Sequence, residues 1–405
     1  MSRAMSRLRR LTGLAMLLPL FGLQACTGPE NITLGASVPL TGNLARAGVY
    51  YRDAYQFAVD TINDKGGVTI GDMKYRLALQ VLDNQSDSSL AVRQHVNLAT
   101  RNRVNFLLGT YSSNDVLAGA AIAERYQVPM VQGGGASGRI FSRGYKYVFG
   151  TLPPAEDYFR STIDMLQQLT PVPKTGALIS GDDPFDLTVA TGTRALLQKA
   201  GLEVALHQQY SERAPNFDNI LTLIQSRNPD VLLWSGHEAA AVNFIRLSKR
   251  RNVSPKLMAS FTAAVPSASF RSTLGNDANY AFGMTPWLAS EHKKDRWFGD
   301  ASQFAKTYEE KFGYAPDYHS AAAVATVEAM VFAMEAAGTF EAGFVRDAIA
   351  KLDFESLYGR IRFGKNGQIE IPQTVIQIQN GNVVEIFTDR FVNQPEYPVR
   401  SWDKR

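Results

Sequence analysis

Residue types able to do chemistry are sparse in this chain. Of its 405 residues only five are histidine, His95, His207, His237, His292 and His319, and one is cysteine, Cys26. No two histidines are three or four apart, as helical metal-ligand pairs would be, so the spacing predicts no metal site. No Gly-x-Ser-x-Gly turn offers an activated serine. His237 adjoins Glu238 and is the one pair suited to acid–base work, but adjacent side chains at a helix start point apart. Gly133-x-Gly135-x-x-Gly138 spells a dinucleotide fingerprint, yet it stands late in its run of strands rather than after the first one. The Arg139-Ile-Phe-Ser-Arg-Gly144 that follows shows no helical stripe. These residues predict a protein that is not an enzyme and needs no cofactor or metal.

The cysteine has a different context. Arg3, Arg7, Arg9 and Arg10 precede a short apolar run from Leu11 to Leu23, and Leu23-Gln24-Ala25 precede Cys26. Basic residues, an apolar stretch and a small-residue cut site are the parts of an export signal. The run falls short of the roughly 20 residues that span a bilayer. The stretch around Cys26 resembles the lipobox of bacterial lipoproteins, which implies a signal over 1–25, a lipid on Cys26 and a chain tethered to a membrane in the periplasm or at the cell surface. The formal net charge is +4, and the four signal arginines account for all of it. The sequence pI near 9.0 therefore gives no sign of nucleic-acid binding, which needs a basic face on the mature domain. Without a second cysteine there is no disulfide, so the core must supply the stability.

Two series of elements must position whatever site exists. From Asn31, strand patterns at Ile32–Val38, Tyr75–Leu82, Asn105–Leu108 and Pro129–Val131 alternate with helical stretches that include Ser89–Arg101 and Val116–Tyr126. After Leu152-Pro153-Pro154 a second series begins, with strands at Ala177–Ser180, Glu203–Gln208, Val231–Trp234 and Lys256–Ala259. Its helices fall near 157–169, 186–200, 216–227 and 238–250. Two consecutive βα series predict an α/β protein with two doubly wound lobes. Helices near 297–311, 320–337 and 341–352 have no strands between them and must pack on a sheet built earlier. Strands at 361–363, 374–379 and 383–387 close the fold, the last two joined at Asn380-Gly381 as a hairpin. About 380 mature residues suit two domains.

The residues then match a family. Val38-Pro-Leu-Thr-Gly-Asn-Leu-Ala-Arg-Ala-Gly48 and Ala58-Val-Asp-Thr-Ile-Asn-Asp-Lys-Gly-Gly-Val68 resemble the opening of the leucine/isoleucine/valine-binding proteins, the type I periplasmic binding proteins of ABC importers. Gly109-Thr-Tyr-Ser-Ser-Asn114, Val128-Pro-Met-Val131, Phe149-Gly-Thr-Leu-Pro153 and Phe363-Gly-Lys-Asn-Gly367 continue the resemblance in order. It implies two Rossmann-like lobes joined by three crossings, here near Leu152-Pro153, Pro286 and Tyr358-Gly359, with a ligand held between them. The implied division is 26–152 plus 287–358 for the first lobe, 153–286 plus 359–387 for the second, and 388–405 as a tail. The implied partners are an amino acid or related small carboxylate, an ABC permease and, through the lipid, a membrane. A monomer is expected. A ligand sensor with the same fold is the alternative, as is a receptor for aromatic carboxylates or amides.

The resemblance also implies the pocket. Ser113, with Ser112 and Tyr111 beside it, falls where the family holds the ligand carboxylate at a helix N-terminus, a setting that favours anions in general. The alternative for Ser113 is a helix cap. Gly135, Ala136 and Ser137 fall on the small-residue loop that completes the anion and amine contacts. On the second lobe the family's ligand-stacking Tyr falls on Phe185, its second Tyr near His237, and the Glu that pairs with an ammonium near Phe261. Phe261 cannot neutralise a buried ammonium, so Glu238 is the substitute carboxylate, or the ligand is an apolar or aromatic acid. Arg46, in the loop after the first strand, falls where the family caps the ligand. Trp234, Trp287 and Tyr158 are either pocket lining or core.

Overall fold

The computed structural model describes residues 31–291 and 293–405. The expected signal, Cys26 and His292 lie outside the described residues.

Among the described residues the strands form two main sheets. The first contains β1 (Ile32–Val38), β4 (Leu77–Asp83), β5 (Phe106–Leu108), β6 (Met130–Gln132) and β7 (Val148–Gly150), all parallel, in the order β4-β1-β5-β6-β7. The run Ile32–Val38 is apolar almost throughout and buried at six of seven positions, as a strand covered on both faces requires. β2 (Val68–Ile70) and β3 (Met73–Tyr75) pair as a small hairpin, so the strand expected over Tyr75–Leu82 begins two residues later. α1 (Ala45–Asp64), α2 (Ser88–Thr100) and α3 (Ser113–Tyr126) supply the crossovers. α4 (Gly138–Phe141) is a single turn where no helix was expected, capped by the Ser137 side chain, which accepts from the Arg139 amide.

The second sheet runs β18-β17-β12-β11-β10-β8-β9. Its parallel part is β8 (Thr175–Gly181), β9 (Glu203–Tyr210), β10 (Val231–Ser235), β11 (Met258–Phe261) and β12 (Phe282–Thr285). β17 (Thr374–Gln379) joins β12 antiparallel and pairs with β18 (Asn382–Phe387). Their turn carries positive φ at Asn380 and Gly381, the geometry of the hairpin read from that dipeptide. α5 (Arg160–Leu166), α6 (Pro184–Lys199), α7 (Asp218–Arg227), α8 (Glu238–Arg250) and α9 (Ala268–Leu274) belong to this lobe.

The later helices return to the first lobe, as their lack of strands required. They are α10 (Ala301–Phe312), α11 (Tyr318–Ala337) and α12 (Ala342–Ile349). α11 packs on α1 and against β5 and β6, and it is buried nearly all round, so its apolar length reflects a core position rather than a bilayer. Short pairs β13–β14 (Lys294–Asp295, Gly299–Asp300) and β15–β16 (Asp353–Ser356, Gly359–Arg362) stand outside both sheets. The strand expected at 361–363 is therefore part of a separate hairpin. Gln368 then bridges to Gly150 at the end of β7, so the chain leaves the first lobe between Ile369 and Thr374, later than the Tyr358-Gly359 expectation. β7 and β12 went unread because they are three and four residues long and each contains a glycine. The tail does not run free: Trp402 donates its indole N–H to the Val253 carbonyl at 2.9 Å, and the Val399 amide bonds to Leu257.

Candidate functional site

The C-terminal ends of β5 and β6 deliver the first-lobe side of the cleft. Ser112 stands at the N-cap of α3 without a side-chain cap bond, and Ser113 is the first helical residue, buried. Ser113 is not the cap. Its Oγ instead accepts from the amides of Ala136 and Ser137 at 3.1 and 3.2 Å, tying the loop after β6 to the start of α3. Those two bonds use the oxygen's lone pairs, and the hydroxyl proton remains available to donate. Gln132 at the end of β6 fixes the rest of the loop, accepting from the Gly134 and Gly135 amides and donating to the Gly135 carbonyl. Gly134 is required by close approach: a Cβ there would lie 1.8 Å from the Thr110 carbonyl oxygen. Gln368, beside the crossing, donates to the Ala136 and Leu152 carbonyls.

The second lobe presents the opposing wall from the ends of β8 and β10. Phe185, in the first turn of α6, is buried edge-on against Tyr158, with ring centroids 5.1 Å apart. His237 occupies the N-cap position of α8, its ring 6.1 Å from that of Phe185 and roughly parallel to it. Its Nε2 lies 2.7 Å from Asp183 Oδ2, and its Nδ1 lies 2.8 Å from the Tyr111 hydroxyl across the cleft. Burial pulls the His237 pKa down, while Tyr111 and the Asp183 carboxylate push it up, and the net direction is well above the ordinary imidazole.

Among the contacts that join the lobes in the described residues, three involve residues expected at the site. Besides Tyr111 with His237, the Ser137 and Thr188 hydroxyls are 2.7 Å apart. Thr188 already donates to the Pro184 carbonyl, so Ser137 is the donor of the pair. Arg46 makes the third. It lies in the first turn of α1, not in a loop, and donates to Glu238 Oε1 at 2.9 Å and to Thr273 Oγ1 at 2.8 Å.

Several expected residues therefore converge: Tyr111, Ser113, Gly135, Ala136 and Ser137 from one lobe, Phe185 and His237 from the other, with Ser112 at the cleft mouth. Phe261 does not. It packs in the second-lobe core against Trp234 and Phe244, because β11 ends with that side chain turned to the α8 face. Glu238 Oε1 accepts from Arg46 and from the Ser269 hydroxyl, so that oxygen is engaged in a contact between the lobes. Trp234 stacks on Tyr210, and Trp287 donates to the Leu357 carbonyl, so both are core. Sequence reasoning missed Gln132, Gln368, Asp183 and Thr188. Only Asp183 carried a signal, as an Asp directly before Pro184 at a helix start.

The periplasmic binding protein family model matches residues 31–382. The chain belongs to the periplasmic binding protein family. Among this binding protein's relatives is the Leu/Ile/Val-binding protein homolog 7 of Brucella suis biovar 1, 24% identical over 383 residues, covering 90% of this chain and 93% of the relative. The solved substrate-binding protein LivJ of Streptococcus pneumoniae, in complex with isoleucine, matches with a TM-score of 0.78 at 19% identity, over 87% of this chain and 98% of that one. A solute-binding protein from R. palustris in complex with benzoate matches with a TM-score of 0.77 at 16% identity, over 91% and 98%. At these identities the structures establish the fold of this periplasmic binding protein, a type I arrangement of two α/β lobes.

Proposed function

We propose that this periplasmic binding protein is the extracytoplasmic solute receptor of an ABC importer, tethered by a lipid on Cys26 and closing on a small carboxylate such as an amino acid. The observation that carries the reading is that Tyr111 and the Ser137 loop, tied to Ser113, meet His237 and Thr188 of the opposing wall. A guest carboxylate would accept a hydrogen bond from the Ser113 hydroxyl and compete for the loop amides at the positive end of α3. Contacts from both lobes exist only in the closed form, so a guest shifts the population toward closure and the permease reads the closed shape. On this reading the lobes are divided near residues 152 and 286 and in the stretch before Thr374.

A second reading concerns the ligand. With Phe261 in the core and Glu238 paired to Arg46, the position at which the family places its ammonium-pairing Glu holds no free carboxylate among the described residues, and Asp183 is engaged with His237. The wall of Tyr111, Tyr158 and Phe185 favours an aromatic carboxylate, in keeping with the benzoate bound by the R. palustris neighbour. Isothermal titration with a panel of branched amino acids and benzoates tests both. The expected result is one-to-one binding by at least one class, lost by tenfold or more in Ser113→Ala. Absence of heat with every carboxylate, or full affinity in Ser113→Ala, would overturn the reading.

A further inference from the structure

Three adjacent strands of the second sheet, β9, β8 and β10, end side by side at the cleft mouth, and each leads into a potential metal ligand. β8 leads to Asp183 and, one turn into α6, Asp186; β9 leads to Glu212; β10 leads to His237. One donor atom each from Asp183, Asp186 and His237 lie within 4.8 Å of one another. Asp186 is fully buried: its Oδ1 accepts from Ser235 Oγ at 2.6 Å, and its Oδ2 has no hydrogen-bond partner among the described residues. A buried carboxylate oxygen without a partner is costly and calls for a cation or a proton. A Cβ on Gly181 would come within 2.3 Å of Asp186 Oδ2 and 2.7 Å of Glu212 Oε1, so both carboxylates crowd onto the same stretch of backbone at the end of β8. The open mouth of the cleft is lined by Asp183, Glu212 and His237, which gives an ion a path from water.

We propose that Asp183, Asp186 and His237 form a divalent transition-metal site in the second-lobe wall, with Glu212 alongside as a further oxygen donor. Imidazole with carboxylates suits Zn²⁺, Mn²⁺ or Co²⁺. The Tyr111 hydroxyl on His237 Nδ1 supplies the outer contact that orients a ligating imidazole. Ligand bonds of about 2.0–2.1 Å would widen the His237–Asp183 pair from 2.7 Å by a few tenths of an ångström, within the reach of side-chain rotation. Burial, followed by the neighbouring Asp183, holds the Asp186 carboxyl well above the usual carboxylate range, and, against burial, Tyr111 and Asp183 hold His237 well above the ordinary imidazole, so ligation by both residues would release a proton from each. Because the chain tethers Tyr111 to the first lobe, the ion would sit one imidazole away from the lobe interface.

The test uses chelator-stripped protein with no organic solute, so that its outcome is separate from that of the carboxylate titrations. Zn²⁺ is titrated by calorimetry, and Co²⁺ by the visible absorption of the bound ion. The expected result is one ion per chain, with affinity reduced at least tenfold in both Asp186→Asn and His237→Gln and unchanged in Asp60→Asn, a remote surface carboxylate. Melting curves in chelator check that each variant folds. Failure of Zn²⁺, Co²⁺ and Mn²⁺ to bind, binding that survives in folded Asp186→Asn and His237→Gln, or a response to ethylammonium but to no metal, would each overturn the proposal.

Discussion

Asp115 and His95, both buried in the first lobe, pull its acid response in opposite directions. Burial raises the Asp115 carboxyl to about 6, partly offset by the Ser88 hydroxyl. The folded form then binds a proton that the unfolded chain lacks between about pH 6 and 4, so stability increases as pH falls through that window. Burial lowers His95 to about 4, with its Nδ1 on the Ala91 carbonyl and its Nε2 unpartnered among the described residues. Here the unfolded chain binds the extra proton between about pH 6.5 and 4, and stability falls with pH. Each shift of roughly two units corresponds to about 3 kcal/mol at most. Asp115→Asn should be more stable than the native chain at pH 7, by up to about 3 kcal/mol, and should lose most of that advantage by pH 4.5. Urea midpoints at the two pH values check this, and an advantage independent of pH would refute it. At this scale the sequence was legible for placement, as with Ser113 at the start of α3. It was not legible for Glu238, whose partner Arg46 is 192 positions away.

Strand ends and the turns that follow them set the site, and there a single atom matters. Gly134 passes so close to Thr110 that any side chain would strike the backbone. Gly134→Ala should separate the loops after β5 and β6, lowering stability by about 2 kcal/mol or more and weakening carboxylate binding in the same variant. Denaturant unfolding and calorimetry on one preparation measure both, and normal values for either would count against the close-approach argument. Helix α11 shows why elements of this kind can be read from sequence: a twenty-residue apolar run without a polar face has to lie inside the molecule. Short strands are harder. β7 and β12 each carry a glycine, which interrupts the run of strand-forming residues that made the equally short β5 and β6 readable. The Asp183–Asp186–His237 cluster escaped for another reason, since its members come from two strand ends that only the sheet order brings together.

Across the whole molecule the polar contacts between the lobes include Tyr111 with His237, Ser137 with Thr188 and Arg46 with Glu238, the last of them half-exposed at the arginine. A pair of that kind contributes about 0.5–1 kcal/mol, so Arg46→Ala should weaken solute binding about threefold and raise the radius of gyration of the solute-free protein in solution scattering. Arg46→Ala and Glu238→Gln combined should cost no more than either alone; additive losses would mean that the two residues act separately. If Cys26 carries the anchor, Cys26→Ser should release the exported protein from the membrane fraction while leaving its solute affinity intact, and a membrane-bound variant would refute the anchor. The two-lobed architecture was readable from the doubled βα series. The position of the third crossing was not, because Gln368 pairs with Gly150 over a separation no local pattern records.

That pairing couples two parts of the molecule usually considered apart. The Gln368 amide grips the carbonyls of Ala136, in the loop facing the guest, and of Leu152, at the first passage between halves. Any displacement of that loop would therefore be felt at the first passage between the lobes. Under the proposed function, a permease with no view of the solute itself would read occupancy through this link.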